Sequence, residues 1–338
     1  MKAVRHFCYS TPAGEDIYLF VLRNANGTAV SITNFGAIIT SLKVMRQRAL
    51  TDLVLGFENV ADYSAPAYLA SYAWLGAAIG RYANRIKDAQ FRIDGLTYAL
   101  SKNLGNDQLH GGHGFDRKLW SVLHYDENSL ELHYFSRDGE EGYPGNLEVT
   151  LQFTLSASDD LFIEYKATTD KATAVNLSHH SYFNFNNGSG TILDHEVKIH
   201  AGQILEQDEN LVATGQYRDI RLTPLDIREW KKIRDGLAPL DITYVTGTQS
   251  IPDPALVAEA SSNGIHLEVW STEPAVHFYT GQWIPSVKGK YGIWYQPYSG
   301  FCLETQVHPN AINIPSFPQT VLRPGETYRN RTIYRINY

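Results

Sequence analysis

The sequence predicts an all-β fold of stacked antiparallel sheets with few short helices, and three observations predict it. Apolar residues recur with a period of two, the alternating segments are separated by short turn-rich pieces, and no amphipathic helices of 10–15 residues lie between them. The last point excludes a doubly wound α/β sheet. The clearest run is 147–155, where every odd position is apolar and every even one polar, the pattern of a strand with one buried face. Residues 130–135 and 161–167 alternate in the same way. With the turn pieces 138–145 and 156–160 between them, the three strands are expected to form a meander. Strand texture recurs at 18–22, 29–32, 38–44, 91–93, 98–100, 195–199, 265–270, 276–279, 301–306 and 331–336. Helix is expected only at 63–69 and 224–233, the second with Thr223 as its N-cap. The texture continues without a linker, low-complexity tract or repeat, so residues 1–338 are expected to form one domain with function on loops and strand ends.

A chain of 338 residues buries about three quarters of its unfolded surface and needs neither disulfide nor metal for stability. With 29 Lys+Arg against 36 Asp+Glu and no basic block, nucleic acid and anionic membrane are excluded as main partners. Two cysteines, Cys8 and Cys302, exclude a disulfide scaffold and suit a reducing compartment. The start, MKAVRHFCYS, has no apolar h-region and no run reaches 18 apolar residues, so neither signal peptide nor transmembrane helix is expected and a cytoplasmic location is the default. Tyr is the commonest aromatic, 21 against 14 Phe and 6 Trp. It suits half-wet clefts for polar rings such as sugars, although it is also a common strand former.

Phosphate-binding GxxxxGK[ST] and GxGxxG, the GxSxG elbow and paired CxxC are all absent. Four polar clusters stand out instead: GRYANRI at 80–86, LHGGHGF at 109–115, NLSHHSYFN at 176–184 and CLETQ at 302–306. On these the chain resembles the aldose 1-epimerases, the galactose mutarotase family. The resemblance runs in order from NFGAI at 34–38 and LGF at 55–57 through FRIDG at 91–95 and GFDRKLW at 114–120. It continues with HSYFN at 180–184, YTG at 279–281, LETQ at 303–306, AIN at 311–313 and LRPGETY at 322–328, nearly the whole chain. It implies a large β-sandwich, galactose mutarotase-like, and the interconversion of α and β anomers of a free aldohexose, galactose or glucose. One group takes the C1 hydroxyl proton and another gives one to the ring oxygen, with no cofactor and no metal. The implied partner is a monosaccharide, and the protein a monomer or homodimer.

Glu304 matches the family's general base. Alternation in 301–306 sets it on the face opposite Phe301 and Leu303; taken alone it would be an ordinary solvent-facing Glu. His180 matches the general acid, a role suited to imidazole with its reference pKa of ~6.5. Neighbours on a strand face opposite ways, so only one of His179 and His180 enters a site. Spacing does not choose between them. The match to HSYFN selects His180, and His179 stands where the family usually has Asn. His110 matches a second active-site histidine that hydrogen-bonds sugar hydroxyls, with Gly111 and Gly112 letting its loop approach a ligand. His110 and His113, joined by His179 and His180, also suggest a metal site, but a glycine loop lacks the i,i+4 presentation of a helical HExxH.

Arg85 and Asn84 match substrate-binding residues, and Arg81 a structural one. Asp241 matches a substrate-binding Asp in outline only, because the His that usually follows is absent; a loop-capping Asp is the alternative. His277 occupies a contact position where the family often has Gln. Tyr182, Trp283 and Trp294 could stack on a sugar face or simply pack. Cys302 reads as a small buried hydrophobe rather than a nucleophile. Three other readings stay in view. A hexose-6-phosphate 1-epimerase would bring Arg and Lys to the C6 side of the sugar. A glycosidase would use two carboxylates. A protein of the same fold could bind or sense sugar without turnover.

Overall fold

Alternation decides which residues meet in the core. In the computed structural model, which describes residues 4–46, 48–247 and 249–338, the expected meander forms. Ser129–Ser136, Leu147–Leu155 and Asp160–Thr169 pair antiparallel in succession, and the odd positions of Leu147–Leu155 are all buried. These strands belong to a nine-stranded sheet that continues through Tyr328–Asn337, Ile265–Ser271, Ala255–Ser262, Glu196–Ile199 and Lys231–Lys232, with Ser121–Tyr125 at the other edge. A five-stranded sheet runs in the order Ala213–Asp219, Gln203–Gln207, Asp241–Val245, Ala275–Tyr279, Cys302–Gln306. Leu151, Phe153 and Ile163 from the first sheet share one buried apolar cluster with Val276, Phe278 and Leu303 from the second. The two sheets are therefore stacked as a sandwich, and an amino-terminal meander adds Phe20, Leu22, Val30 and Ile32 to the same cluster.

Burying a side chain such as Leu303 is worth about 1.5–3 kcal/mol, and a one-residue slip of its strand would put Glu304 in its place. Core packing thus sets the register that turns Cys302 and Glu304 to the opposite face. There the strand pairs with Ala275–Tyr279, which pairs in turn with Asp241–Val245.

The helical expectations need correction. Residues 63–69 do not form one helix: a 3-10 turn, Val60–Ser64, and a single α-turn, Pro66–Leu69, are separated by Ala65 in extended conformation. Proline disfavours helical geometry in the residue before it, which breaks the segment there. Residues 224–233 form turns and the short strand Lys231–Lys232, not a helix. The Thr223 hydroxyl donates to Ile220 O, and the Asp226 carboxylate accepts from the backbone N–H of Leu222 and of Arg228. Such local bonds satisfy the backbone in turns and compete with a helix.

The turn that feeds the Ala275–Tyr279 strand buries Glu273, whose carboxyl is pushed up to about 7 by burial, only partly offset by a hydrogen bond from Ser250. A carboxyl with a raised folded-state pKa favours folding while protonated and loses that contribution as pH rises from about 4.5 to about 7. Glu273→Gln, which mimics the protonated form, should therefore match the wild type near pH 4.5. By pH 8 it should be more stable by about 3 kcal/mol, since each tenfold change in proton affinity is worth about 1.4 kcal/mol. Urea melts at the two pH values read the difference.

Candidate active site

Each polar cluster singled out in the sequence is anchored by backbone before it contributes a side chain. Glu304 stands on the Cys302–Gln306 strand, directly opposite His277 on Ala275–Tyr279. Asp241 opens the next strand, opposite Tyr279. Arg85 lies on the two-residue strand Arg85–Ile86, paired with Gln108–Leu109, so the GRYANRI and LHGG segments are joined where both reach the site. The His110 N–H donates to Asn84 O, and the Asn84 N–H donates back to His110 Nδ1 at 3.3 Å. With Nδ1 accepting, the proton of a neutral His110 sits on Nε2.

The adjacent histidines diverge as a strand requires. Ser178–His179 pairs with Ala78–Ile79, and the His179 ring packs edge-on against Phe153 in the core, near Ser181 Oγ at 3.1 Å and Ala37 O at 3.3 Å. His180 turns the other way. Its Nε2 lies 3.5 Å from Glu304 Oε1, and its Nδ1 lies 3.4 Å from Cys302 Sγ.

Around this contact is a cavity of about 90 Å³ lined by Glu304, His180, His110, Arg85, Asn84, Asp241, His277 and Tyr182, the eight residues singled out in the sequence. Burial governs its electrostatics. It pushes the Glu304 carboxyl up to about 7, against the lowering effect of His277 and Arg85. It pushes His180 down to about 3 and His110 well below the usual imidazole range. Asp241 goes the other way: burial would raise it, but His277 and Arg85 hold it down to about 2. Its Oδ2 accepts from Arg85 Nη2 at 3.2 Å, and its Oδ1 contacts His277 Nε2. Glu304 Oε2 is buried without a partner, an arrangement that costs about 1–3 kcal/mol until an incoming donor satisfies it.

Residues 18–335 match the family model described as aldose 1-epimerase. The galactose mutarotase of Homo sapiens is 41% identical over 320 residues, spanning 91% of this chain and 91% of that protein. The aldose 1-epimerase of Escherichia coli (strain K12) is 32% identical over 342 residues, 96% of each. The chain belongs to the aldose 1-epimerase family. Among solved structures, the GalM/aldose epimerase homologue from C. elegans has a TM-score of 0.87 at 28% identity, covering 95% of this chain and 98% of that one. Galactose 1-epimerase from Lactobacillus acidophilus NCFM gives 0.86 at 25% identity, covering 100% and 99%.

Other parts of this aldose 1-epimerase family member fall differently from expectation. Gly111 and Gly112 let their loop pack closely against protein: a Cβ on Gly111 would lie 2.2 Å from Gly80 O, and one on Gly112 2.3 Å from a Glu141 oxygen. His113 is exposed and His179 faces the core, so neither joins His110 and His180 as a metal site. Among the described residues, the side chains able to close on an ion are His110, His180 and Glu304, with ligand atoms within 4.8 Å of one another. That spread exceeds the roughly 3.4 Å edge of a tetrahedral zinc site. Arg81 is buried outside the cavity, donating to Ser136 Oγ and to the carbonyls of Ser136, Arg137 and Pro144. Trp294 is exposed and does not line the cavity, whereas Trp283 does, lying nearly parallel to Tyr279 with centroids 5.8 Å apart.

Tyr72 and Trp74 were not read from the sequence. Both line the cavity, and the Trp74 ring lies 4.8 Å from His110 and 6.3 Å from His180 between centroids. Nothing in YAW at 72–74 marks it; the left-handed backbone of Trp74, φ 51, is visible only in the fold. The opposed histidines give a direct test. His180→Asn should lower turnover of a sugar anomer at least ~100-fold, the scale of losing an acid–base group, whereas His179→Asn should stay within about threefold. Polarimetry of the two purified variants reads both.

Proposed function

We propose that the protein is an aldose 1-epimerase, interconverting the α and β anomers of a free aldohexose, galactose or glucose. The observation that carries the reading is the contact of His180 Nε2 with Glu304 Oε1 at 3.5 Å in a buried recess. Glu304 takes the proton of the C1 hydroxyl while His180 gives a proton to the ring oxygen, and the C1–O5 bond breaks to leave the open-chain aldehyde. After rotation about C1–C2 the two groups run in reverse and close the ring on the other face.

Burial favours the uncharged state of each group, so a protonated carboxyl stands beside a neutral imidazole. Moving that proton to the imidazole creates the carboxylate and imidazolium that ring opening needs without changing the total charge. His110, with Nε2–H as donor, steadies the developing oxygen charge. Arg85, Asn84, Asp241 and Tyr182 are assigned to holding the sugar, with His277 lining the same cavity.

A phosphorylated hexose fits less well. The groove of about 940 Å³ beside the cavity sets Arg85 and Lys87 against Asp88, Asp107, Asp208 and Glu209, an acidic surround that repels phosphate. Glycoside cleavage is disfavoured because Asp241 is already engaged by Arg85 and His277. The buried core cluster from Phe20 to Ile336 supports a single domain, and no helix of the described residues is long and apolar enough to cross a membrane. A cytoplasmic monomer or homodimer with a monosaccharide as its partner, without metal or cofactor, completes the proposal.

Freshly dissolved α-D-galactose and α-D-glucose should lose optical rotation far faster with protein than without it, and equally fast after dialysis against EDTA. Glu304→Gln should slow that decay at least ~100-fold. Sugar binding by calorimetry without any acceleration would mark a binding protein, and acceleration confined to hexose 6-phosphates would move the assignment to the phosphate.

A further inference from the structure

Three adjacent strands set Thr243, His277 and Glu304 in one row. Thr243 is directly opposite His277, and His277 is directly opposite Glu304. Opposed residues on antiparallel strands share a face, with Cβ atoms about 4.5–5.5 Å apart. The His277 imidazole is buried and both its nitrogens are engaged, Nδ1 with Thr243 Oγ1 at 2.8 Å and Nε2 with Asp241 Oδ1. Neither is left over for a sugar hydroxyl. Building on the reading of Glu304 as the base, we propose that His277 is a positioning residue rather than a sugar contact. It holds Asp241 beside Arg85 and, from directly opposite Glu304, sets the pH at which that carboxyl gives up its proton.

Imidazole between a carboxylate and a hydroxyl keeps both bonds in either protonation state. In the neutral ring Nε2–H donates to Asp241 while the Thr243 hydroxyl donates to Nδ1. In the charged ring both nitrogens donate and the hydroxyl turns to accept. Either state is therefore held by the same two partners without moving a heavy atom. A positive charge within about 4–6 Å of a carboxyl lowers its pKa by about 1–3.

The other groups facing Glu304 leave this role to His277. His180 and His110 come from the two loop segments and are kept neutral by burial. Arg85 is paired with Asp241. The Cys302 thiol and the phenols of Tyr182, Tyr279 and Tyr334 are raised by burial and stay neutral. His277 is the group set directly opposite Glu304 on the neighbouring strand.

His277→Gln keeps an amide N–H for Asp241 but cannot ionise, and Thr243→Val removes the hydroxyl that receives Nδ1–H. The pKa near neutrality in the pH profile of galactose kcat/KM should rise by about 1 in His277→Gln and by less in Thr243→Val. In His277→Gln, KM should change less than about threefold, whereas His277→Leu, which strips Asp241 of a partner, should raise KM about tenfold. An unmoved pKa with a raised KM in His277→Gln would make His277 a sugar contact and overturn the proposal. The ¹³C carboxyl resonance of Glu304, identified by its loss in Glu304→Gln, reads the same ionisation without turnover. Its titration should also move upward in His277→Gln. An unmoved titration overturns the proposal on its own, whereas absence of mutarotation with every aldose would count against the epimerase reading instead.

Discussion

The constraint on which the site depends is that an ionisable carboxyl is buried where nothing in the protein fully satisfies it. Glu304 is held out of water by the register of a strand whose other face belongs to the core. Desolvation sets its proton affinity near neutrality, and the same desolvation makes the neighbouring His180 reluctant to hold a charge. A carboxyl with its proton affinity near neutrality can both take up and release a proton at working pH. Most of the surrounding structure keeps this pair dry, close together and short of partners.

Much of the fold was legible because one-sided burial writes itself as alternation. The strands at 147–155 and 265–270 were readable for that reason. Two strands without a one-sided face were missed. Ala213–Asp219 is largely exposed, and Asp241–Val245 mixes buried and half-buried positions. The second omission mattered, since that strand carries Asp241 into the site and turns an isolated Asp into one wedged between Arg85 and His277. The segment 224–233 failed for the opposite reason: helix-compatible residues were captured by the turn bonds of Thr223 and Asp226.

The site itself was legible as residues but not as an arrangement. Motif resemblance singled out eight of the residues that line the cavity, and strand geometry required His179 and His180 to part company. What no motif carried was the partnership between them. That His277 spends both nitrogens on protein groups follows from cross-strand pairing that only the assembled sheet reveals. Trp74 and Tyr72 come from a turn with no periodic signal, where backbone conformation rather than residue type aims the ring.

The interlock between Gly111 and Gly80 bears on how such a protein could be redesigned. An added methyl at 111 collides with backbone rather than with a movable side chain, so the two segments that deliver His110 and Arg85 behave as one rigid casting. Variation aimed at new sugars has little freedom there. The exposed rim at Trp283 has no such lock, so libraries directed at altered selectivity belong on that outer lip and not on the glycine loop.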